Sequence, residues 1–577
     1  MGNSTSRDET TRTTTENERY HHDDMAAAST PIKGSDSDMV APTVMMTSHL
    51  SSMTLSESSS VDTSSPTRTT NDNNKKVVIV SGGPLIQNYL SSLSLDDEKK
   101  KQADDASSVS EPSTLADTTT AASATQPAAV ASSVSKTAVN VDYRVRNWCG
   151  TKYYSDLLQE GLDWIQQQKD PATATNAAAS QRRVVMVYES PSQETKGTSF
   201  VNTTQFVFHD APPGNPMPRT TLGPQRYATM TGSALPVYLK YEPEVALVEH
   251  WKEALPHFVE PTIVHDLDPA QDQISAYLPL ESLHNMATTS ITDNSPNHNH
   301  CHIQDPQVHY HLAGKDVIPL MTSQTTRLLA NTKDVRPCIA KVNHSMGSRG
   351  IFVIRNDADE REFQDWLAVT GNPPYVVSDF IEIERNIAAH FFIHPSGDVL
   401  WLGNSENCPD GHGGWSADST MNMLQQDELQ SLQMSQVRDV ADYCVSLGFW
   451  GFCGIDVLIE KGTGIGHVVD VNPRVTGTCP ALMAHKKIRQ EFGLDYGLFR
   501  RSTDHAFPGS AKDLLAQVQA HNTKHCGKSR VVIFSMSQVR DDHTLLNIGV
   551  YGTSLDECEH YLNHFSRRFH QAKATYM

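Results

Sequence analysis

The stretch GFWGFCGIDVLIEKGTGIGHVVDVNPRVTGTCP, residues 448–480, decides the reading of the chain. It predicts two short apolar strands joined by a Gly-rich turn. Residues 453–459 alternate and are rich in β-branched side chains, 461–466 (KGTGIG) turn the chain, and 467–471 return. Polar residues interrupt this apolar run at Asp456, Asp470 and Asn472. A side-chain period of two puts Asp470 and Asn472 on one face, and pairing across the turn can bring Asp456 onto it. Two carboxylates and an amide oxygen on an apolar platform repel one another and stay desolvated unless a cation joins them. Oxygen-only donors of this kind suit Mg²⁺ or Mn²⁺, with phosphate oxygens completing the shell. Arg474 follows, placed to meet an anion held there. The alternative is a surface hairpin whose acids face water.

Upstream stands a second informative element. PCIAKV (337–342) reads as a strand bearing Lys341, NHSMGSRG (343–350) as a flexible loop, and IFVI (351–354) as a return strand. Gly lets a loop backbone approach phosphate oxygens closely, and Lys341 adds a point charge beside them. Arg349 at the far side of the loop is a further candidate catalytic cation. No GxxxxGK[ST] is present and the loop leads into a strand, so this is not a P-loop; a plain hairpin is the other reading. Between the two elements, 375–382, 387–393 and 399–402 read as extended segments. Residues 404–420 read as a polar, Gly-rich loop, near a nucleophilic substrate if one is bound. A helix is expected over 427–447, with Leu429, Leu432, Val437, Val440, Ala441, Cys444 and Leu447 on its apolar side and Gly448 ending it.

The rest of the chain sets bounds. A net charge of −20 without a basic stripe argues against nucleic-acid binding. Nine cysteines without a CxxC pair fit a reducing compartment, and no apolar run approaches a membrane span. These features lead to the expectation of a soluble, cytoplasmic protein. Residues 1–142, mostly Ser, Thr, Asp, Asn, Glu and Ala, hold too few large apolar groups to offset the entropy of ordering and read as a disordered arm, with one strand-like island at 75–84. MGNSTS at the start matches an N-myristoylation pattern at Gly2, which by itself gives only weak membrane association. From residue 143 to 290, helices expected at 154–167 and 242–255 alternate with strands expected at 183–188 and 260–265, predicting a small α/β domain. The His-rich stretch 294–311 (His298, His300, Cys301, His302, His309, His311) has transition-metal chemistry but no zinc spacing, and reads as a polar crossing loop.

Taken together, AKVNHSMGSRGI, SDFIEIER and GIDVLIE…VVDVNPRVTG resemble the ATP-grasp superfamily of carboxylate ligases, which includes biotin carboxylase and D-alanine–D-alanine ligase. The resemblance covers about a third of the chain, residues 307–485, and joint occurrence makes it more specific than either motif alone. It implies an α+β / α/β architecture. Two α+β lobes (303–495) would grip ATP behind a pre-ATP-grasp α/β domain (143–290), and residues 496–577 would complete the second lobe. By resemblance, Lys341 contacts the nucleotide phosphates and the loop with Ser345, Met346, Gly347 and Ser348 closes over them. The backbone of Ser378, Asp379, Phe380 and Ile381 would form the adenine hinge, with Glu382 or Glu384 near the ribose. Asp456, Asp470 and Asn472 would hold Mg²⁺, and Arg474 would stabilise the transferring phosphoryl group. Lys315 is the candidate for the second lysine that family members carry ahead of the loop. Asp at both metal positions departs from the common use of Glu. The implied activity joins a small-molecule carboxylate to an amine through an acyl phosphate; an ATP-dependent carboxylase and a non-catalytic nucleotide-binding protein stay open.

Overall fold

The computed structural model describes residues 145–168, 182–189, 199–204, 217–268, 271–288, 301–346, 350–409, 415–501 and 505–568. The expected N-terminal arm with its 75–84 strand and Gly2, the loop residues Gly347, Ser348 and Arg349, and His298 and His300 lie outside them.

The first part of the described chain contains β1 (Val145–Asn147), α1 (Tyr154–Gln168), β2 (Arg183–Val187), α2 (Met217–Ala228), β3 (Val237–Tyr238), α3 (Val245–Ala254), β4 (Ile263–Val264), β5 (Asp272–Ala276) and α4 (Glu281–Thr288). β2 to β5 form a parallel sheet in the order β4-β3-β2-β5. Val184, Val185, Met186 and Val187 are all buried, as a parallel strand covered on both faces requires. The Asp156 carboxylate accepts from the Tyr153 N–H at 2.7 Å and so fixes the start of α1.

Next come α5 (Pro306–Leu312), a 3₁₀ turn (Lys315–Val317) and α6 (Ile318–Met321). This region corrects the expectation of a polar crossing loop: Cys301, His302 and His309 are buried, and His311 is half-buried against the Tyr443 hydroxyl at 3.1 Å. Asp305 caps Gln307 and Val308, Pro306 opens the helix, and Val308 and Leu312 turn it into the core.

A second, small sheet is built from β6 (Leu328–Leu329), β7 (Cys338–Val342), β8 (Ile351–Ile354) and β9 (Tyr375–Asp379), in the order β6-β9-β7-β8. Helix α7 (Asp357–Val369) covers it, with Phe363 and Leu367 packed on Cys338, Ala340, Ile354 and Val377. Asn356 caps α7 through the N–H groups of Ala358 and Asp359, a contribution of about 1 kcal/mol.

The third and largest sheet begins with β10 (Ile383–Ile393), β11 (Val399–Pro409) and β12 (Trp415–Asn422), followed by α8 (Gln426–Ser446), β13 (Gly451–Glu460), β14 (Gly466–Asn472) and α9 (Cys479–Phe492). It continues through β15 (Tyr496–Arg500), β16 (His505–Phe507), α10 (Ala511–Lys524), β17 (Ser529–Arg540), β18 (His543–Gly552), α11 (Leu555–Phe565) and β19 (Arg567–Arg568). The strand order is β14-β13-β10-β11-β12-β15-β18-β16-β19, with β1 beside β11 and β17 beside β18. Two sequence expectations change here. Residues 404–420 are mostly the strands β11 and β12, with Asn404, Ser405 and Asn407 buried. On α8, Leu432 is exposed while Gln433 and Gln436 are buried, because the inward stripe runs 429, 433, 436, 437, 440, 441 and 444. Gln433 is tolerated there because it donates to the Ile387 carbonyl at 3.3 Å and meets the Asn404 side chain. Gly448 ends the region in left-handed backbone (φ 78°), which a side chain would strain.

Candidate functional site

The hairpin β13–β14 puts Asp456 directly opposite Asp470, and Gly454 opposite Asn472. Pairing slips by one residue just after Asp456, a bulge that re-aims side chains at the carboxylate pair. On β10, Asn386 pairs with Leu458 and His390 with Gly454, so the same face continues across the sheet. There Asn407 of β11 donates to Asp456 Oδ1 (3.4 Å) and Asn386 Oδ1 (3.2 Å). Burial, then the charge of Asp470, pushes the Asp456 carboxyl up to about 6, while Arg501, the Asn407 amide and Arg474 pull the other way. Two carboxylates facing each other across a ladder, with an amide oxygen beside them, form a hard-oxygen donor set that suits a divalent cation such as Mg²⁺.

Two lysines face these acids from other elements. Lys315 in the 3₁₀ turn is buried, its Nζ 3.4 Å from Asp470 Oδ1. The strap that carries it is pinned at both ends. The Lys315 N–H donates to the Asn343 carbonyl (3.2 Å), and downstream the Thr325 hydroxyl donates to the Val468 carbonyl (2.7 Å). Lys341 on β7 comes from the small sheet. Burial pushes its ammonium down to about 8, the charge of Asp470 opposes this, Lys315 adds to it, and Asp456 opposes it. The loop after β7 begins with Ser345, whose hydroxyl donates to the Val342 carbonyl (3.4 Å), and Met346, whose sulfur lies 4.0 Å from the Tyr277 hydroxyl.

The segment expected as the hinge runs from the end of β9 into the connection to β10. Ser378 pairs with both Ile339 and Leu328, and the Asp379 N–H donates to the Arg327 carbonyl at 3.1 Å. The Asp379 carboxylate is held by the Arg327 guanidinium at 2.9 and 3.0 Å. Phe380, partly exposed, and the buried Ile381 lie past that ladder, between β9 and β10. Glu382 pairs with Lys461 at 2.7 Å on the exterior, and Glu384 is exposed.

A cationic corner adjoins the carboxylates. The Arg474 guanidinium lies 4.9 Å from the Tyr277 ring centre, and Tyr277 packs on Tyr227 at 5.3 Å. Arg226 of α2 sits 4.7 Å from the Tyr227 ring, donates to the Tyr227 hydroxyl and to Asn547 (3.1 Å each), and keeps a buried Nε without a partner. Arg501, just after β15, is pushed down by burial and by the charge of Arg226, against the pull of Tyr227, Tyr277 and Asp456. Gly477 leaves room for it in this position: a Cβ there would stand 1.8 Å from Arg501 Nη1 and push the guanidinium aside. Sequence reasoning found Arg474 but missed Arg226, Arg501 and Asn407. The first two sit in no motif and come from segments far apart in the chain, and Asn407 lay inside an expected loop. The one available signal was QRYATM, an arginine next to an aromatic at the end of a helix.

Comparison with known proteins adds the following. Residues 314–478 match the family described as ATP-grasp domain. N5-carboxyaminoimidazole synthetase from Staphylococcus aureus, solved in complex with ADP, is 11% identical with a TM-score of 0.39, over 66% of this chain and 96% of that one. The biotin carboxylase domain of Hydrogenobacter thermophilus 2-oxoglutarate carboxylase is 12% identical with a TM-score of 0.36, over 67% and 89%. N5-carboxyaminoimidazole ribonucleotide synthetase from Thermotoga maritima is 10% identical with a TM-score of 0.38, over 67% and 99%. Overlaps this loose carry no statement about chemistry. No curated protein sequence matches the chain. Among the described residues, no helix is long and apolar enough to cross a membrane.

Proposed function

We propose that the protein is an ATP-dependent ligase that activates a small-molecule carboxylate and joins it to an amine or similar nucleophile, a reading supported by the match of residues 314–478 to the ATP-grasp domain family. One observation carries the reading: Lys315, Lys341, Asp456 and Asp470, drawn from a strap and two different sheets, interact at one place. Like charges are gathered there in pairs, an arrangement that favours a polyphosphate and its counter-cation.

Lys341 and Lys315 bind the nucleotide phosphates, beside the loop that opens with Ser345 and Met346. Phe380 and Ile381 meet the adenine, with Glu384 toward the ribose. Asp456, Asp470 and Asn472 would hold Mg²⁺ or Mn²⁺, which would neutralise charge on the phosphate oxygens. Arg474, Arg226 and Arg501 hold the acid substrate, and its carboxylate faces the γ-phosphate. The carboxylate oxygen attacks that phosphorus, the bond to the β-phosphate oxygen breaks, and ADP leaves. The nucleophile then attacks the acyl carbon and displaces phosphate. In this reading residues 143–290 are the pre-ATP-grasp domain and 496–577 complete the large lobe. The chemistry engages no nucleic acid.

The test supplies ATP, Mg²⁺ and hydroxylamine with a panel of amino acids, dicarboxylates and bicarbonate. A hydroxamate formed together with ADP and phosphate is the expected result. Release of AMP and pyrophosphate overturns the acyl-phosphate route, and turnover with bicarbonate as the only acid required moves the protein to a carboxylase.

A further inference from the structure

A second cluster of ligating side chains lies apart from the phosphate-facing residues, where the first sheet hands the chain to α5. Helix α4 carries His284, and residues 301–303 run alongside β5: His302 bridges Ile274 in parallel, and the Ile303 N–H donates to the Ile274 carbonyl at 3.0 Å. This seats Cys301 Sγ 3.4 Å from His284 Nδ1 and stacks the His302 ring on His284 at 5.7 Å and 13°. One ligand atom from each of the three lies within 4.8 Å of the others. Cys301 is 1% exposed and His302 is 8% exposed.

The second observation is His302 Nε2, which is buried and has no hydrogen-bond partner. Leaving such a group unsatisfied costs about 1–3 kcal/mol, a cost that a ligand on that nitrogen removes. A thiol and two imidazoles are the wrong donors for Mg²⁺ and the right ones for a borderline-soft dication. With metal–nitrogen and metal–sulfur bonds of about 2.0–2.3 Å, tetrahedral ligand atoms stand roughly 3.3–3.8 Å apart. The observed spread of up to 4.8 Å exceeds this by about an ångström, a distance on the scale of side-chain rotation.

We propose that His284, Cys301 and His302 form a Zn²⁺ site, with a fourth position left to water or another donor, that staples α4 to the segment leading into α5. Binding replaces the Cys301 S–H proton with the metal, so each Zn²⁺ bound releases one proton. The site is organising rather than catalytic: from Cys301 the chain runs through α5, which packs its buried His309 on Phe449, to Lys315. The competing account is a Cys–His hydrogen bond in an ordinary core.

The experiment uses the full chain, purified without a metal-binding tag, dialysed, and assayed for metal by mass spectrometry and after loading with Co²⁺. Stoichiometric Zn²⁺, and with Co²⁺ a thiolate-to-metal charge-transfer band, are expected. Cys301→Ser, a near-isosteric change, should lose both while keeping the wild-type circular dichroism spectrum. His284→Ala, at a half-buried position, is the second variant and should weaken Zn²⁺ retention against a competing chelator. Wild type without retained Zn²⁺ or a Co²⁺ band overturns the site. A band that survives Cys301→Ser overturns it too, since the thiolate would then be another cysteine.

Discussion

Asp456→Asn separates what the site costs the fold from what it contributes to binding. Burial and the charge of Asp470 push the Asp456 carboxyl from 3.8 to about 6. At 1.36 kcal/mol per tenfold change, that difference corresponds to about 3 kcal/mol of unfavourable charging. Asp470 is 29% exposed, so water screens part of the repulsion, and about 1–3 kcal/mol is the expected range without divalent ions. The sign follows from proton counting. A carboxyl raised by folding binds more protons in the native state between about pH 4 and pH 6, so stability falls as pH rises through that window and levels off above it. Asn removes the ionisation and can still accept from the Asn407 amide.

Urea unfolding in EDTA, from pH 4.5 to 8, is the assay. The variant should be more stable than wild type by about 1–3 kcal/mol at pH 7.5, with the gap closing toward pH 4.5. Mg·ATP should shift the difference by about 2.3 kcal/mol in favour of wild type, reversing the order wherever the gap in EDTA is smaller than that. A ligand at 100 times its Kd adds about 2.7 kcal/mol to wild type, and binding weakened a hundredfold leaves only about 0.4 kcal/mol in the variant. A variant less stable than wild type in EDTA at pH 7.5, or a gap that does not change with pH, would refute the reasoning.

Lys341→Ala should abolish hydroxamate and ADP formation, measured by colorimetry and coupled ADP detection, yet leave the unfolding midpoint no lower than wild type, because removing an ammonium that burial disfavours relieves a cost. Arg226→Ala and Arg501→Ala should each raise KM for the acid at least tenfold, about 1.4 kcal/mol, with KM for ATP little changed in steady-state kinetics. Gly477→Ala should give the same split, since its Cβ displaces the Arg501 guanidinium. A chain beginning at Tyr143 should keep the full ligase rate; loss of activity that returns when the start is moved to Asn74 would make residues 75–84 part of the folded body.

What the sequence revealed depended on how far apart in the chain the interacting groups lie. Asp456, Asp470 and Asn472 share one hairpin, and a period of two with a Gly-rich turn was enough to align them; the observed pairing puts Asp456 on Asp470. Lys341 was legible as a charge on a strand leading into a Gly loop, whereas Lys315 was pointed to only by the family resemblance; the structure puts Lys315 against Asp470. The buried polar strand residues were illegible. Asn404, Ser405 and Asn407 look like loop chemistry, and only the neighbouring strands and Gln433 supply the partners that let them be buried. The same holds for Cys301, His302 and His309, whose polarity suggested an exposed crossing.

Arg226 shows why the remainder stays hidden. An arginine on an amphipathic helix is by default a solvated face, and the adjacent Tyr227 is only a weak local sign otherwise. Its role follows from long-range packing that sets Tyr227 against Tyr277, over which Arg474 lies, and brings in Arg501 from beyond β15. The Asp456–Asp470 pair, the lysines and these arginines are three sets of like charge, each unfavourable by itself. A fold selected for stability alone would separate them. Complementary charge on bound ligands offsets all three at once, so the same proximity that raises the Asp456 carboxyl and lowers the Lys341 ammonium in the free protein is what an ATP phosphate chain, its cation and an acid substrate would relieve.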